Sequence, residues 1–276
     1  MPGPTSETTA LARELLHAYT TGAVVATPPT ARDETFDLNA AYSVEAEIAR
    51  LRIESGRKTT GLKVGYANKA VWRALKLETL VWAHMYDDTV RYATGTEAEL
   101  TLPYYRSPKI EPEIVFRLKE PIASEGLDAG AILENTEWLA LGFEIIDCPF
   151  PDWQVKPPDF VAAFGLHLAL VVGPPRRVEP EMIPTLIDQL ARFKLRLSKD
   201  GQLVEEGSGK NSLRSPALCV AELAGALLRR PDAAPLSAGE LISTGTLTSG
   251  HRVAPGEVWE VTVDGLPVDN LTLRLC

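Results

Sequence analysis

The residues of this chain best placed to do chemistry are three carboxylates set among apolar, β-branched neighbours. Two of them lie one residue apart in Lys109-Ile110-Glu111-Pro112-Glu113-Ile114-Val115-Phe116. Side chains alternate faces along a strand, so Glu111 and Glu113 share a face with their Cα atoms roughly 7 Å apart. Like charges held that close on a mostly buried strand repel each other, and a divalent cation between them is the usual remedy. A third carboxylate stands in a second apolar run, Leu141-Gly142-Phe143-Glu144-Ile145-Ile146-Asp147. If the two strands are neighbours, Glu111, Glu113 and Glu144 make an all-oxygen site that suits Mg²⁺, Mn²⁺ or Ca²⁺ better than Zn²⁺.

One cation has a comparable setting. Lys63 lies in Thr60-Gly61-Leu62-Lys63-Val64-Gly65-Tyr66, where flanking glycines let backbone and ligand approach closely. Between apolar neighbours its charged form is expected to be disfavoured, which suits a proton shuttle; if it stays charged it is an electrostatic clamp. Snorkelling to water is the plain alternative. His17 reads as a surface residue of a helix, and His84 as a boundary residue of a strand. Gly207-Ser208-Gly209-Lys210-Asn211-Ser212 lacks the full GxxxxGK[ST] spacing, so it is not read as a phosphate loop.

The elements that must position these groups follow from periodicity. Thr5 or Ser6 caps a helix carrying Leu11, Leu15, Leu16 and Tyr19 and stopped at Gly22. A second helix runs from Leu38 or Asn39 to about Ser55, giving a small helical cap over residues 1–58. Residues 59–276 form the second unit. It opens with the Lys63 strand, a helix over residues 68–75 and an apolar strand over 80–90. The Glu111 strand, a helix-compatible stretch from Leu133 to Leu139, the Glu144 strand and a proline-broken loop at 147–153 follow. Residues 160–173 end in a buried strand, Ile183 to Phe193 is helical, and Asp200-Gly201 marks a hairpin. Ser215-Pro216 starts a helix to Leu228, and the tail reads as all β. The fold class is therefore α+β.

The chain of 276 residues is long enough to bury a substantial core, and 45% hydrophobic with 24% charged residues is ordinary for a globular protein. A net charge of -9 argues against nucleic acid or an anionic membrane as partner. No apolar run is long enough to span a bilayer, and Met1-Pro2-Gly3-Pro4-Thr5-Ser6-Glu7 lacks the features of a leader, so a cytoplasmic location is expected. Cys148, Cys219 and Cys276 show no CxxC spacing and are expected to be buried reduced thiols.

Five motifs, in order, resemble the fumarylacetoacetate hydrolase superfamily. They are Gly61-Leu62-Lys63-Val64-Gly65, Ile110-Glu111-Pro112-Glu113-Ile114 and Gly142-Phe143-Glu144-Ile145-Ile146-Asp147. Next comes Gly207-x-Gly209 ahead of Ser215-Pro216, and last Ser243-Thr244-Gly245-Thr246 ahead of Val253-x-Pro255-Gly256-Glu257. Within the superfamily the chain is most similar to the 2-keto-4-pentenoate hydratase and 4-oxalocrotonate decarboxylase branch. The resemblance implies a mixed β-roll-like core with a smaller helical N-terminal region and homo-oligomeric assembly. Metal ligation is implied at Glu111, Glu113 and Glu144, a catalytic lysine at Lys63, and substrate contacts at Leu62, Lys63, Thr244, Gly245 and Thr246.

The implied cofactor is Mg²⁺ or Mn²⁺, and the implied ligand is a small 2-oxo acid that chelates the ion through a carboxylate and its 2-oxo oxygen. The expected reaction is hydration of a 2-hydroxy-2,4-dienoate to a 4-hydroxy-2-oxo acid. Decarboxylation of a 2-oxo-3-enedioate and hydrolysis of an acylpyruvate are the rivals. A non-enzyme reading is a metal and oxo-acid binding module, or a stabilising subunit for a partner enzyme of the same pathway. Two departures from the branch stand out: Ala162-Ala163-Phe164-Gly165 where hydratases often carry Asp-Asn-Ala-Ser, and Val81 or its neighbours where many carry an acid.

Overall fold

The computed structural model describes residues 5–104 and 106–276. The first four residues, part of the leader reading, lie outside them. Helix α1, Ser6–Thr21, begins where the Thr5 hydroxyl accepts the Thr8 N–H at 3.1 Å. It ends at Gly22, whose left-handed φ of 76° lets its N–H reach the Ala18 carbonyl. A short helix α2, Pro29–Arg32, that periodicity did not show precedes α3, Leu38–Glu54, which Asp37 caps. Ala12, Leu15 and Ala18 of α1 and Ala41, Val44 and Ile48 of α3 are buried.

Strand β1, Thr59–Gly65, follows, then α4, Lys69–Leu75. The apolar run expected as one strand over 80–90 divides into β2, Val81–Tyr86, and β3, Val90–Tyr92, because Thr89 turns the chain back onto the Tyr86 carbonyl. Strand β4 is Glu97–Leu100 and β5 is Lys109–Leu118. The helix-compatible stretch from Leu133 to Leu139 is corrected. The helix, α5, is Ala129–Glu134, capped by Asp128, and strand β6 already runs from Thr136 to Ile146. An apolar run such as Trp138-Leu139-Ala140-Leu141 fits either state, and pairing with β5 decides for strand.

Helix α6, Pro157–Ala162, leads to β7, His167–Val172, and β8, Arg176–Arg177. Helix α7, Ile183–Arg192, precedes the Asp200-Gly201 hairpin of β9, Lys194–Lys199, and β10, Gln202–Ser208. Helix α8, Pro216–Leu228, is followed by β11, Leu241–Ser243, β12, His251–Arg252, β13, Val258–Asp264, and β14, Leu271–Leu275. The expected α+β class with mixed sheets holds.

Two sheets result. The larger has the order β2-β1-β11-β5-β6-β7-β3, with β12 also on β5 and β8 on β6; the smaller runs β10-β9-β13-β14-β4. Three pairs are parallel, β1 with β11, β3 with β7 and β14 with β4. One face of the larger sheet carries Ile110, Ile114, Phe116, Leu141 and Phe143 into the main core, which also takes in Leu15, Ile48, Leu223 and Leu273. The opposite face holds a smaller apolar cluster of Met85, Val115, Trp138, Ala140, Leu170, Val172 and Leu241. Glu111, Glu113 and Glu144 are an even number of residues from Val115 and Ala140, so they share that second face. Apolar packing fills one end of it and the carboxylates the other. Cys148 and Cys219 are buried as expected, whereas Cys276, one residue past β14, is exposed.

Candidate active site

Antiparallel pairing of β5 with β6 places Glu111 directly across from Glu144. Directly opposed residues share a face, and one carboxylate oxygen from each of Glu111, Glu113 and Glu144 lies within 4.8 Å of the others. Glu113 and Glu144 are fully buried and Glu111 is half-buried, so the site opens past Glu111.

The neighbours of the two buried acids differ. Glu113 Oε2 accepts the Ser243 hydroxyl at 2.5 Å and the Gly245 N–H at 2.8 Å. β11 lies between β1 and β5; its last residue, Ser243, and the turn just beyond it supply the two donors. Gly245 is needed there, since at φ 85° an added Cβ would stand 2.7 Å from the Ala67 Cβ. Glu144 Oε1 lies 2.8 Å from His167 Nδ1, and its Oε2 lies 3.0 Å from Lys63 Nζ. Lys63 reaches it from β1, with its ammonium donating to the Gly165 carbonyl at 3.0 Å and lying 4.9 Å from the centroid of the Phe160 ring.

Gly165 sits at φ 59°, and a Cβ there would come within 2.8 Å of the Lys63 Cδ. Phe160 is held in place through its neighbour Asp159, a buried acid that accepts the Thr30 N–H and hydroxyl at 2.8 and 2.7 Å and the Lys156 N–H at 3.0 Å. The N-terminal segment thus pins the helix that walls Lys63.

His167 is the functional neighbour that sequence reasoning missed. Its Nε2 lies 2.9 Å from the Thr89 hydroxyl, so the ring is fixed at both nitrogens between Thr89 and Glu144. The irregularity between Ile145 and Ile146 sets His167, not Leu168, opposite Ile146. Such a bulge re-aims a side chain, here turning His167 to the carboxylate face. The available signal was a lone histidine in an otherwise apolar run, Phe164-Gly165-Leu166-His167-Leu168-Ala169-Leu170.

Other expected site residues divide. Lys63 joins the carboxylates. Leu62 does not: strand alternation sends its side chain into the main core on the other face of β1. The Thr244 hydroxyl is spent on the Ile114 carbonyl at 2.8 Å, Gly245 contributes its N–H to Glu113, and the half-buried Thr246 donates to the Thr248 carbonyl at 2.9 Å. His84 is a half-buried boundary residue on Glu45, as expected.

Electrostatics follow from these contacts. Burial raises the Glu111 pKa to about 7, against the pull of Lys63 and with a further push from Glu144. Burial, then the charge of Glu144, drives Glu113 well above the ordinary carboxylate range. Burial opposes the charge of Glu144 too, but Lys63 and then His167 outweigh it and its pKa is lowered. Burial likewise opposes the Lys63 ammonium, yet Glu144, Glu111 and Glu113 together raise its pKa. Of the two forms the sequence leaves open for Lys63, the three nearby carboxylates favour the charged one as long as no cation shares them.

The donor set fits a divalent ion. Glu113 Oε1 is buried without a hydrogen-bond partner, whereas Glu144 Oε2 is met by the Lys63 ammonium at 3.0 Å. Such oxygens cost free energy unless something positive meets them. Lys63 is the ammonium in direct contact with the three-carboxylate cluster, and all the candidate ligand atoms are hard oxygens.

Fold and site together define an α+β, mixed-sheet scaffold presenting a buried three-carboxylate cluster with an adjacent lysine. The family model for the fumarylacetoacetate (FAA) hydrolase C-terminal region matches residues 63–273, and the chain belongs to that family. It is 30% identical over 226 residues to a 2-hydroxyhexa-2,4-dienoate hydratase of Comamonas testosteroni, covering 82% of each chain. With a 4-oxalocrotonate decarboxylase of a Pseudomonas species it shares 28% identity over 231 residues, 84% of this chain and 85% of the other. Among solved structures, 4-oxalocrotonate decarboxylase from Pseudomonas putida G7, complexed with magnesium and adipate, superposes with a TM-score of 0.87 at 26% identity. That match covers 98% of this chain and 97% of the other.

Proposed function

We propose that the protein is a divalent-metal-dependent hydratase that converts a 2-hydroxy-2,4-dienoate into a 4-hydroxy-2-oxo acid. The observation that carries this reading is the convergence of Glu111, Glu113 and Glu144 around the buried, unpartnered Oε1 of Glu113, beside a buried lysine that already meets Glu144. Glu111, Glu113 and Glu144 would hold Mg²⁺ or Mn²⁺, and the ion would anchor a 2-oxo acid and stabilise negative charge gathering on its 2-oxo oxygen. The relatives named as dienoate hydratases support the reaction class.

In the balanced reaction, the dienol gives up its hydroxyl proton and gains one at C5. Water then adds its hydroxide at C4 and a proton at C3. Lys63 Nζ is an acid–base group in contact with the cluster, 3.0 Å from Glu144 Oε2. Without the ion the carboxylates favour its charged form, and beside the substrate it would serve as a proton donor or as an electrostatic partner for the substrate anion. His167, fixed by Thr89, holds Glu144 in place. Phe160, Ala163 and Phe164 keep water from the Lys63 side. Gly245, with the turn at Thr244 and Thr246, fixes Glu113 beside the substrate.

Decarboxylation of a 2-oxo-3-enedioate is the second reading, favoured by the likeness to 4-oxalocrotonate decarboxylases. Purified protein with Mg²⁺ should bleach the ultraviolet absorbance of the dienol without releasing CO₂, stop with EDTA and recover with added Mg²⁺. CO₂ release instead would select decarboxylation, and ligand affinity without turnover would leave a binding module.

The same reading divides the chain into a helical cap at 1–58 and a catalytic unit at 59–276, and it places a homo-oligomer in the cytoplasm. Among the described residues no helix is long and apolar enough to cross a membrane. Light scattering and cell fractionation test assembly and location.

A further inference from the structure

The three carboxylates are not held alike. Glu113 takes hydrogen bonds from Ser243 and Gly245, and Glu144 is fixed by His167 and Lys63. Lys63 and Lys109 act on Glu111 through their charge, but among the described residues no hydrogen bond holds its carboxylate. Glu111 is also the half-buried member of the three. Its position therefore depends on whatever walls it, and that wall is the loop between β11 and β12. The loop is tied to β5 on both sides of Glu111: the Leu247 N–H donates to the Pro112 carbonyl at 2.9 Å, and His251 is the strand partner of Ile110. Residues 248–250 span the gap between those ties. Gly250 passes against the Glu111 side chain, since a Cβ there would stand 3.0 Å from its Oε1 and 3.5 Å from its Cγ.

This wall is held from the other sheet. The two oxygens of Glu205 share the Ser249 N–H at 3.2 and 3.1 Å, Oε1 also accepts the Ser249 hydroxyl at 3.4 Å, and Oε2 lies 2.7 Å from His251 Nε2. The residues on either side of Gly250 thus share one carboxylate. Glu205 and Glu206 are adjacent in sequence, and the irregularity in β10 between Leu203 and Glu205 sorts them. Glu206 is set across from Arg196 and is exposed, whereas Glu205 is set across from the buried Leu197 and is half-buried. Opposed residues share a face, so Glu205 stands on the inner face of the smaller sheet, toward the loop. Close packing supports the same junction. Asn211 Nδ2–H donates to the Leu247 carbonyl at 2.8 Å, and a Cβ at Gly207 would stand 2.3 Å from that carbonyl oxygen.

We propose that Glu205 is a positioning residue of the metal site: by holding Ser249 and His251 it keeps Gly250 against Glu111 and the Glu111 carboxylate aimed at the ion. This rests on the divalent-metal reading above and extends it to a residue of the smaller sheet. Glu205 touches neither the three carboxylates nor Lys63 and acts through the loop alone. Groups that fix the orientation of a metal ligand are worth about 10–100-fold in affinity, so the effect belongs to metal binding and not to the chemical step.

The test is calorimetric titration of the full chain with Mg²⁺. Glu205→Ala should weaken binding about tenfold, and turnover lost at limiting Mg²⁺ should return as Mg²⁺ saturates. Glu206→Ala, one residue along on the solvent side, should bind as the native chain does. Gly250→Ala pushes a methyl at Glu111 and should weaken binding as well. In a Glu205→Ala background the freed loop can carry that methyl away, so the loss from Gly250→Ala should be smaller there than in the native chain. Native affinity in Glu205→Ala or in Gly250→Ala overturns this inference and leaves the metal reading standing. So does an equal loss in Glu206→Ala, or strict additivity in the double variant. If the native chain binds no Mg²⁺, the metal reading falls and this inference falls with it.

Discussion

Glu113 and Glu144 are buried equally, yet the two sides of the site treat their charge in opposite ways. Around Glu113 the protein offers only neutral donors, a hydroxyl and one backbone N–H, and the carboxyl is pushed toward its protonated form. Around Glu144 it offers Lys63 and His167, and the carboxylate is held charged. One side has its counter-charge built into the chain, while the other leaves the charge to be met from outside. That asymmetry separates the site from a self-contained buried ion-pair network, because half of it is stable alone and half is not.

Substitutions at the two acids should separate these sides most strongly. Glu113→Gln and Glu144→Gln should both abolish Mg²⁺ binding and turnover, measured by calorimetry and dienol loss. Their effects on the metal-free fold should have opposite signs. Glu144→Gln leaves a buried ammonium without its partner and should cost about 3–5 kcal/mol in urea unfolding. Glu113→Gln removes a carboxyl that burial disfavours, and should leave the metal-free fold unchanged or slightly more stable. Losses of the same size in both would remove the asymmetry.

Next in size, Lys63→Met should keep Mg²⁺ affinity and lower kcat by about 10²–10⁴-fold; unchanged turnover would take the lysine out of the reaction. His167→Ala should weaken Mg²⁺ binding by roughly 10–100-fold, since the ring acts through Glu144 and not on substrate. Isothermal calorimetry distinguishes that loss from a fall in kcat at saturating metal.

The smallest expected effect is on pH dependence. Glu111 has a folded-state pKa raised to about 7, so its contribution to the metal-free fold is present below the ordinary carboxylate pKa and is lost as pH rises through about 7. Metal-free protein should therefore lose stability over that window, and Mg²⁺ uptake below it should release protons, read by calorimetry in buffers of differing ionisation enthalpy.

Much of this was legible in the sequence because it depends on local period. Alternation put Glu111 and Glu113 on one face, an apolar frame singled out Glu144, and caps at Thr5 and Ser215-Pro216 placed two helices. What escaped depends on contacts distant in sequence. The sequence treats the three carboxylates as one self-repelling group, whereas Lys63 and His167 reach Glu144 across 81 and 23 residues, the second by way of a bulge. The boundary of β6 escaped because its apolar run fits helix or strand until β5 pairs with it.

The most direct test is an anomalous difference map from crystals soaked with Mn²⁺ and oxalate. A single strong peak is expected between Glu111, Glu113 and Glu144, with oxalate completing its coordination next to Lys63 Nζ. A peak ligated elsewhere, with these three carboxylates left free of metal, would contradict the account.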